Sequence, residues 1–239
     1  MHPPLRGRDT LSGMRQTNSV LAVLLLALLT LACAARPTPR WSPTSGEALP
    51  RQVDLVLRGK AQEHSLSCES RSACDLLAYY GIALQEDAFR LGLPASDNPD
   101  LGFVGDVDGP GGRLPPQGYG VHAEPVAARL RAIGLPARAH RGVDLPWLKE
   151  RLAEGKPVIA WATSSLDAPS SVRMRDGVGR AFVVVPGEHT FLVAGYAPGV
   201  VILGDPATGT NKRVPDRRFD ASWATLDRQV VVPDSPPAK

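Results

Sequence analysis

Residues 62–77 read "QEHSLSCESRSACDLL", and the stretch changes character at Ser67 and Cys68. Before that point it is short and polar. After it Ala73, Leu76, Leu77 and Tyr80 recur at helical spacing, so one face of a helix is core. Ser67 is a good N-cap residue and Gly81 a good stop, which predicts a helix that begins at Cys68. A thiol in a first turn lies where unpaired backbone N–H groups and the helix dipole favour the thiolate, so a lowered pKa is expected for Cys68. The other nearby cysteine, Cys74, sits six positions on. That is about 9 Å of helical rise, too far for a disulfide, so both thiols are expected to be free. Cys74 falls among the core positions and reads as inert packing.

Past this helix, a short second one is expected around Glu86–Leu91, followed by a long ordered loop region over residues 94–120 with seven glycines and five prolines. "AEPVAARLRAIG" has Pro125 near a helix start and Gly134 at its end. "DLPWLKERLAEG" repeats that design with Asp144 as cap, Pro146 in the first turn and Gly155 as stop. Beyond it the period changes. "KPVIAWAT", "AFVVVPG", "HTFLVAGYA", "VVILGDP" and "RQVVVP" are β-branched runs parted by turn residues, and "YAPGVVILGD" reads as a tight hairpin. Helices first and an antiparallel sheet after them predict an α+β domain over residues 51–233, with a second loop around 164–180 and a tail at 234–239.

A thiolate needs a histidine as ion-pair partner and proton shuttle. The candidates are His64, His122, His140 and His189. His64 is only four residues before Cys68, and His64 and His122 read as cleft-wall or surface residues. His189 opens the run "HTFLVAGY", a rigid platform at the edge of a central strand. The next strand ends in "LGDP", which can bring Asp205 beside it to fix the imidazole's tautomer, although an Asp-Pro pair is also an ordinary turn starter. Gln62, with the backbone N–H of Cys68, can supply the donors for a developing oxyanion. The acidic loop residues Asp97, Asp100, Asp106 and Asp108 lack the ligand pattern of a calcium loop and read as a wall with Asx turns. The His and Cys spacing makes no zinc motif, so no metal and no cofactor are expected. Trp147, Trp161 and Trp223 read as core or cleft lining.

A glutamine six residues ahead of a cysteine at a helix start, with His and Asp in a following sheet, resembles the papain-like cysteine peptidases. The segments "LSCESRSA", "GFVGDVDG", "GYGVHAEPV", "LAEGKPVIAWAT", "GEHTFLVAGY" and "GDPATG", in that order, are similar to the bacteriocin-processing (double-glycine leader peptidase) type. That is family thirty-nine of the cysteine peptidases, here in its exported, stand-alone branch. The likeness covers nearly all of Gln52–Val232. It implies a papain-like fold, with Cys68 as nucleophile, His189 as general base and acid, Asp205 as orienter and Gln62 as oxyanion donor. The substrate implied is a peptide or protein. Glu69 stands where many relatives carry glycine, and it is expected to point outward, toward the helix dipole. A cell-wall amidase or endopeptidase with the same triad, and a catalytically silent peptide-binding surface domain, are the alternatives.

The N-terminus reads as an export signal. Arg6, Arg8 and Arg15 flank an uncharged run, Val20–Ala35, shorter than the roughly 20 residues that span a bilayer and closed by small residues. Cys33 after Ala32 resembles a lipobox, with Thr30 where the pattern prefers leucine. Lipidation at Cys33, ordinary cleavage near Ala34 or Ala35, or an uncleaved anchor all put the rest outside the cytoplasm. Residues 1–33 are thus assigned to the signal and 34–50, rich in Pro, Ser and Thr, to a tether. A start at Met14 gives the same signal. Of 239 residues 43% are hydrophobic, enough for a sizeable core. The formal charge is +3, and without residues 1–33 there are 24 basic residues against 23 acidic. No basic run with interleaved aromatics occurs, so the footprint of a nucleic-acid binder is missing. Oligomeric state is not legible.

Overall fold

The computed structural model describes residues 48–236. The export segment with Cys33, Trp41, most of the tether and the last three residues lie outside the described residues. Two helices come first, α1 (Cys68–Tyr79) and α2 (Glu86–Arg90), then α3 (Ala123–Ile133) and, after one strand, α4 (Leu145–Ala153). Asp144 caps α4 as expected, its Oδ1 accepting the Trp147 N–H at 2.9 Å. Ser67 occupies the N-cap position of α1 but makes no side-chain cap, because its hydroxyl is bound to the buried Glu86 carboxylate and the His64 carbonyl.

The main sheet is formed by β1 (Val53–Asp54), β2 (Ala137–His140), β3 (Val158–Thr163), β6 (Glu188–Ala197), β7 (Val200–Asp205), β8 (Thr210–Pro215) and β9 (Val230–Pro233). Its order is β2-β9-β3-β6-β7-β8, with β1 added on β6, and every pairing is antiparallel. Strands β4 (Val172–Arg175) and β5 (Ala181–Val184) form a separate hairpin, so part of the loop expected at 164–180 is strand. The last helix, α5 (Asp216–Ala224), follows β8.

The central strands are continuously apolar because both sheet faces are covered. Successive side chains of a strand point to opposite faces. Ile159 and Trp161 of β3 and Leu192 and Ala194 of β6 therefore join Ala73, Leu77, Val126 and Leu130 from α1 and α3. Val158, Ala160 and Ala162, with Phe191 and Val193, join Leu148, Leu152, Phe219 and Trp223 from α4 and α5. Each fully buried Leu or Phe contributes roughly 1.5–3 kcal/mol. The result is an α+β fold in which the start of α1 packs on the start of β6. A hydrogen bond between the Ser72 and Thr190 hydroxyls, 3.1 Å, pins that junction.

Candidate active site

The nucleophile candidate is the first residue of α1. Cys68 is 6% exposed, and Cys68 and Cys74 are both free thiols. Cys74 is packed in the core, where burial pushes its pKa up to about 12. A cleft of about 350 Å³ is bordered by Gln62, Cys68, Tyr119, Glu188, His189 and Ala207.

His189 lies on β6 opposite Ala162 of β3, which holds its backbone rigidly. Leu192 of β6 faces Gly204 of β7, so His189 and Asp205 meet diagonally across the ladder. His189 Nε2 and Asp205 Oδ1 are 2.8 Å apart. The Asp205 carboxylate also takes the Lys212 ammonium at 2.9 Å and the Ala207 N–H at 3.0 Å. Burial alone would raise its pKa, but the bonds from His189 and Lys212 outweigh it and hold the carboxyl well below the usual range. Phe191 meets the His189 ring edge-on at 4.8 Å between centroids.

Gln62 reaches the same cleft because its N–H donates to the Pro206 carbonyl at 2.7 Å, just past the end of β7. Its side-chain amide nitrogen donates to the carbonyls of His64 (2.7 Å) and Ser65 (3.1 Å). Its Oε1 is buried with no hydrogen-bond partner among the described residues.

Two expectations about Cys68 fail. Glu69 does not point outward: it is 1% exposed, and the Cys68 thiol donates to its Oε2 at 3.2 Å. Its Oε1 accepts the Val121 N–H at 2.7 Å. Nor is the thiol's pKa lowered. Burial pushes it well above its ordinary value, the charges of Glu69 and Glu188 add to that, and hydrogen bonding from Thr190 opposes it only weakly. The helix N-terminus is thus outweighed by desolvation and two neighbouring carboxyls. Burial also raises Glu69 to about 7, and burial with the charge of Glu69 raises Glu188 well above the carboxylate range.

A model of the peptidase C39-like family matches residues 55–231. The chain belongs to the C39-like peptidases. A solved structure assigned as a C39-like peptidase of Bacillus anthracis is similar at TM-score 0.68 and 20% identity, covering 79% of this chain and 100% of that one. A double-glycine motif protease from an AMS/PCAT transporter, solved in complex with the leader peptide, matches at TM-score 0.48 and 17% identity over 76% and 94% of the two chains. Xylellain, a cysteine protease from Xylella fastidiosa, matches at 0.45 and 15% over 84% and 91%. No curated protein sequence matches.

In this C39-like domain the four sequence-derived residues Cys68, His189, Asp205 and Gln62 come to one place. The other histidines do not. His64 bonds Asp108 and Asp87, which raises its pKa. His122 is buried against Asp100 at 2.6 Å, and burial lowers its pKa. His140 packs on Trp147. The acidic loop is a wall: Asp106 closes an Asx turn on the Asp108 N–H, and Asp97 takes the Gly177 N–H. Glu188 and Tyr119 were missed. Glu188 precedes His189 at the head of a strand otherwise buried, and a lone carboxylate opening so apolar a run was the available signal. Among the described residues, donor atoms of Cys68, Glu69 and Glu188 lie within 4.8 Å of one another. Sequence spacing could not bring that trio together, since its members come from α1 and β6.

Proposed function

We propose that this domain hydrolyses peptide bonds through Cys68, His189 and Asp205. One observation carries the reading: the His189–Asp205 pair, 2.8 Å apart, borders the same cleft as the cysteine at the start of α1. In the reaction the Cys68 thiol loses its proton to His189, and the sulfur attacks the substrate carbonyl. The tetrahedral oxyanion is met by the Cys68 backbone N–H and by Gln62, whose amide then exchanges its loop carbonyls for the new charge. His189 gives the proton to the leaving amine, the C–N bond breaks, and an acyl-thioester remains. Water, deprotonated by His189, attacks that ester, and its collapse returns the thiol. Asp205 keeps the imidazole in the tautomer that aims its other nitrogen at the cleft. No cofactor enters these steps.

The site operates outside the cytoplasm, with residues 1–33 as export signal and a lipid on Cys33 tethering the domain to the membrane. Labelling with a radioactive fatty acid tests this: the wild type should carry label and Cys33→Ser should not. An unlabelled wild type removes the anchor.

Turnover on a peptide library, with cell-wall peptides alongside, tests the chemistry. Cys68→Ala should lose at least ~10³ in kcat and His189→Ala ~10²–10⁴, with unchanged circular dichroism. Undiminished turnover in Cys68→Ala sinks the reading. Cleavage of cell-wall peptides alone makes the enzyme an amidase or endopeptidase with the same triad. One observation favours a silent peptide-binding domain, namely that the thiol faces Glu69. That reading requires a wild type without turnover whose peptide affinity survives Cys68→Ala.

A further inference from the structure

The proposed reaction gives no task to Glu69 or Glu188, yet both carboxyls stand beside the nucleophile. The Cys68 thiol donates to Glu69 Oε2 at 3.2 Å, with Thr190 its other hydrogen-bonding neighbour. The slot around Glu69 is shaped for a carboxyl. At Gly120, whose φ is +108°, an added Cβ would lie 2.1 Å from Glu69 Oε1 and 3.4 Å from Glu188 Oε2. The residue that comes next, Val121, is held through both of its backbone groups: its N–H goes to Glu69 and its carbonyl accepts from Trp161 Nε1 at 2.9 Å.

Among the described residues, the buried Glu188 Oε1 has no hydrogen-bond partner and neither glutamate is in an ion pair. The titratable groups facing the pair are few. Helix α1 supplies Cys68, the loop before Val121 supplies Tyr119, and β6 supplies His189. Tyr119 is a neutral phenol, its pKa pushed well up by burial. Behind Tyr119 stands Asp100, already bonded to His122 and Arg141. Behind His189 stand Asp205 and Lys212, bonded to each other. No cation is left among the described residues to balance two carboxylates, Glu69 buried and Glu188 half-buried with its Oε1 sequestered, whose oxygens are within 4.8 Å, and a shared proton does so instead.

We propose that Glu69, sharing one proton with Glu188, is a positioning residue for the nucleophile: the pair holds Cys68 as a hydrogen-bonded thiol and sets the pH at which it ionises. This rests on reading Cys68 as the nucleophile. The upward displacement of all three groups by burial agrees with it.

The test is the pH dependence of alkylation of Cys68 in the full chain, with chelator present so that no cation replaces the proton. Mass spectrometry separates Cys68 from Cys74 and Cys33, and an inert Cys74 certifies that each variant is folded. In the wild type the midpoint should lie above the ~8.5 of a free thiol. Glu69→Gln, which keeps the shape and removes the charge, should lower it by at least one pH unit and raise the rate at pH 7 about tenfold or more. Glu188→Gln should lower it too, by less. Midpoints that stay put or rise in both variants overturn the proposal, and movement in Glu69→Gln alone overturns the pair. Infrared spectroscopy of the wild type needs no variant to fold: a protonated carboxylic acid band at pH 7 is expected, and its absence overturns the shared proton. Absent turnover with these shifts present would sink the peptidase reading and leave the pair standing.

Discussion

Asp205 and Glu69 are carboxyls beside one site with opposite environments. Asp205 receives His189, Lys212 and the Ala207 N–H, which keep it ionised. Glu69 receives a backbone N–H and a weakly acidic thiol in a buried slot, and burial holds its proton up to about pH 7. In the proposed reaction such a divergence would separate the carboxylate that orients the base from the one that controls the nucleophile. Asp205→Asn keeps the shape and removes the charge that stabilises imidazolium. It should cut kcat by about 10²–10⁴ with a small change in KM, measured by steady-state cleavage of one peptide. A fall below threefold would take the orienting role from Asp205. At this scale the residues that the fold brings to one cleft were legible. Cysteine at a helix start, histidine opening a strand and Asp-Pro ending the next strand are local patterns. The inward turn of Glu69 was not, because only the gap at Gly120, fifty-one residues away in the chain, admits its carboxyl.

Among the elements, β6 carries His189 and Glu188 and is tightly fitted. It pairs with β3, β7 and β1, and its register shifts between Val193 and Gly195. An added Cβ at Gly195 would lie 2.2 Å from the Val53 carbonyl oxygen, so β1 can approach only a glycine. Gly195→Ala should cost about 1–3 kcal/mol in chemical denaturation, through strain or loss of β1. A cost below about 0.5 kcal/mol would mean that β1 yields freely. The apolar strands β3, β6, β7 and β9 and the punctuated helices α3 and α4 were readable in the chain. Strand β8 and helix α5 were not. "TNKRVP" is a mostly exposed edge strand, and α5 buries only Phe219, Ser222 and Trp223 of nine residues. A sparse apolar pattern leaves little period to read, and edge strands are kept polar against aggregation.

For the whole molecule, the raised carboxyl pair couples folding to pH. Glu69 has a folded pKa of about 7 against roughly 4.3 in an unfolded chain. Between those values the folded state binds more protons, so this contribution is complete below about pH 4 and is lost as pH rises toward 7. Asp205 and Asp176, held low, act in the other direction: their contribution is present above about pH 4 and lost as pH falls further. The Tm difference, Glu69→Gln minus wild type, should therefore climb steadily from about pH 4.5 to about pH 7.5 in a thermal-melt series. A difference that is flat or falls across that range contradicts the buried pair.

Neighbours along the chain were enough to specify the helix that starts at Cys68, the strand runs with their turns, and the α+β class. They also singled out Cys68, His189, Asp205 and Gln62, which the fold brings to one cleft. Periodicity and end signals act within a few residues, so the sequence carries them without a fold. The surroundings of Cys68 came from tertiary packing alone. Desolvation and the charges of Glu69 and Glu188 depend on bringing α1, the loop at Gly120 and β6 together. Electrostatics in a buried site is set by distances between segments far apart in the chain, and the pKa of Cys68 was decided there.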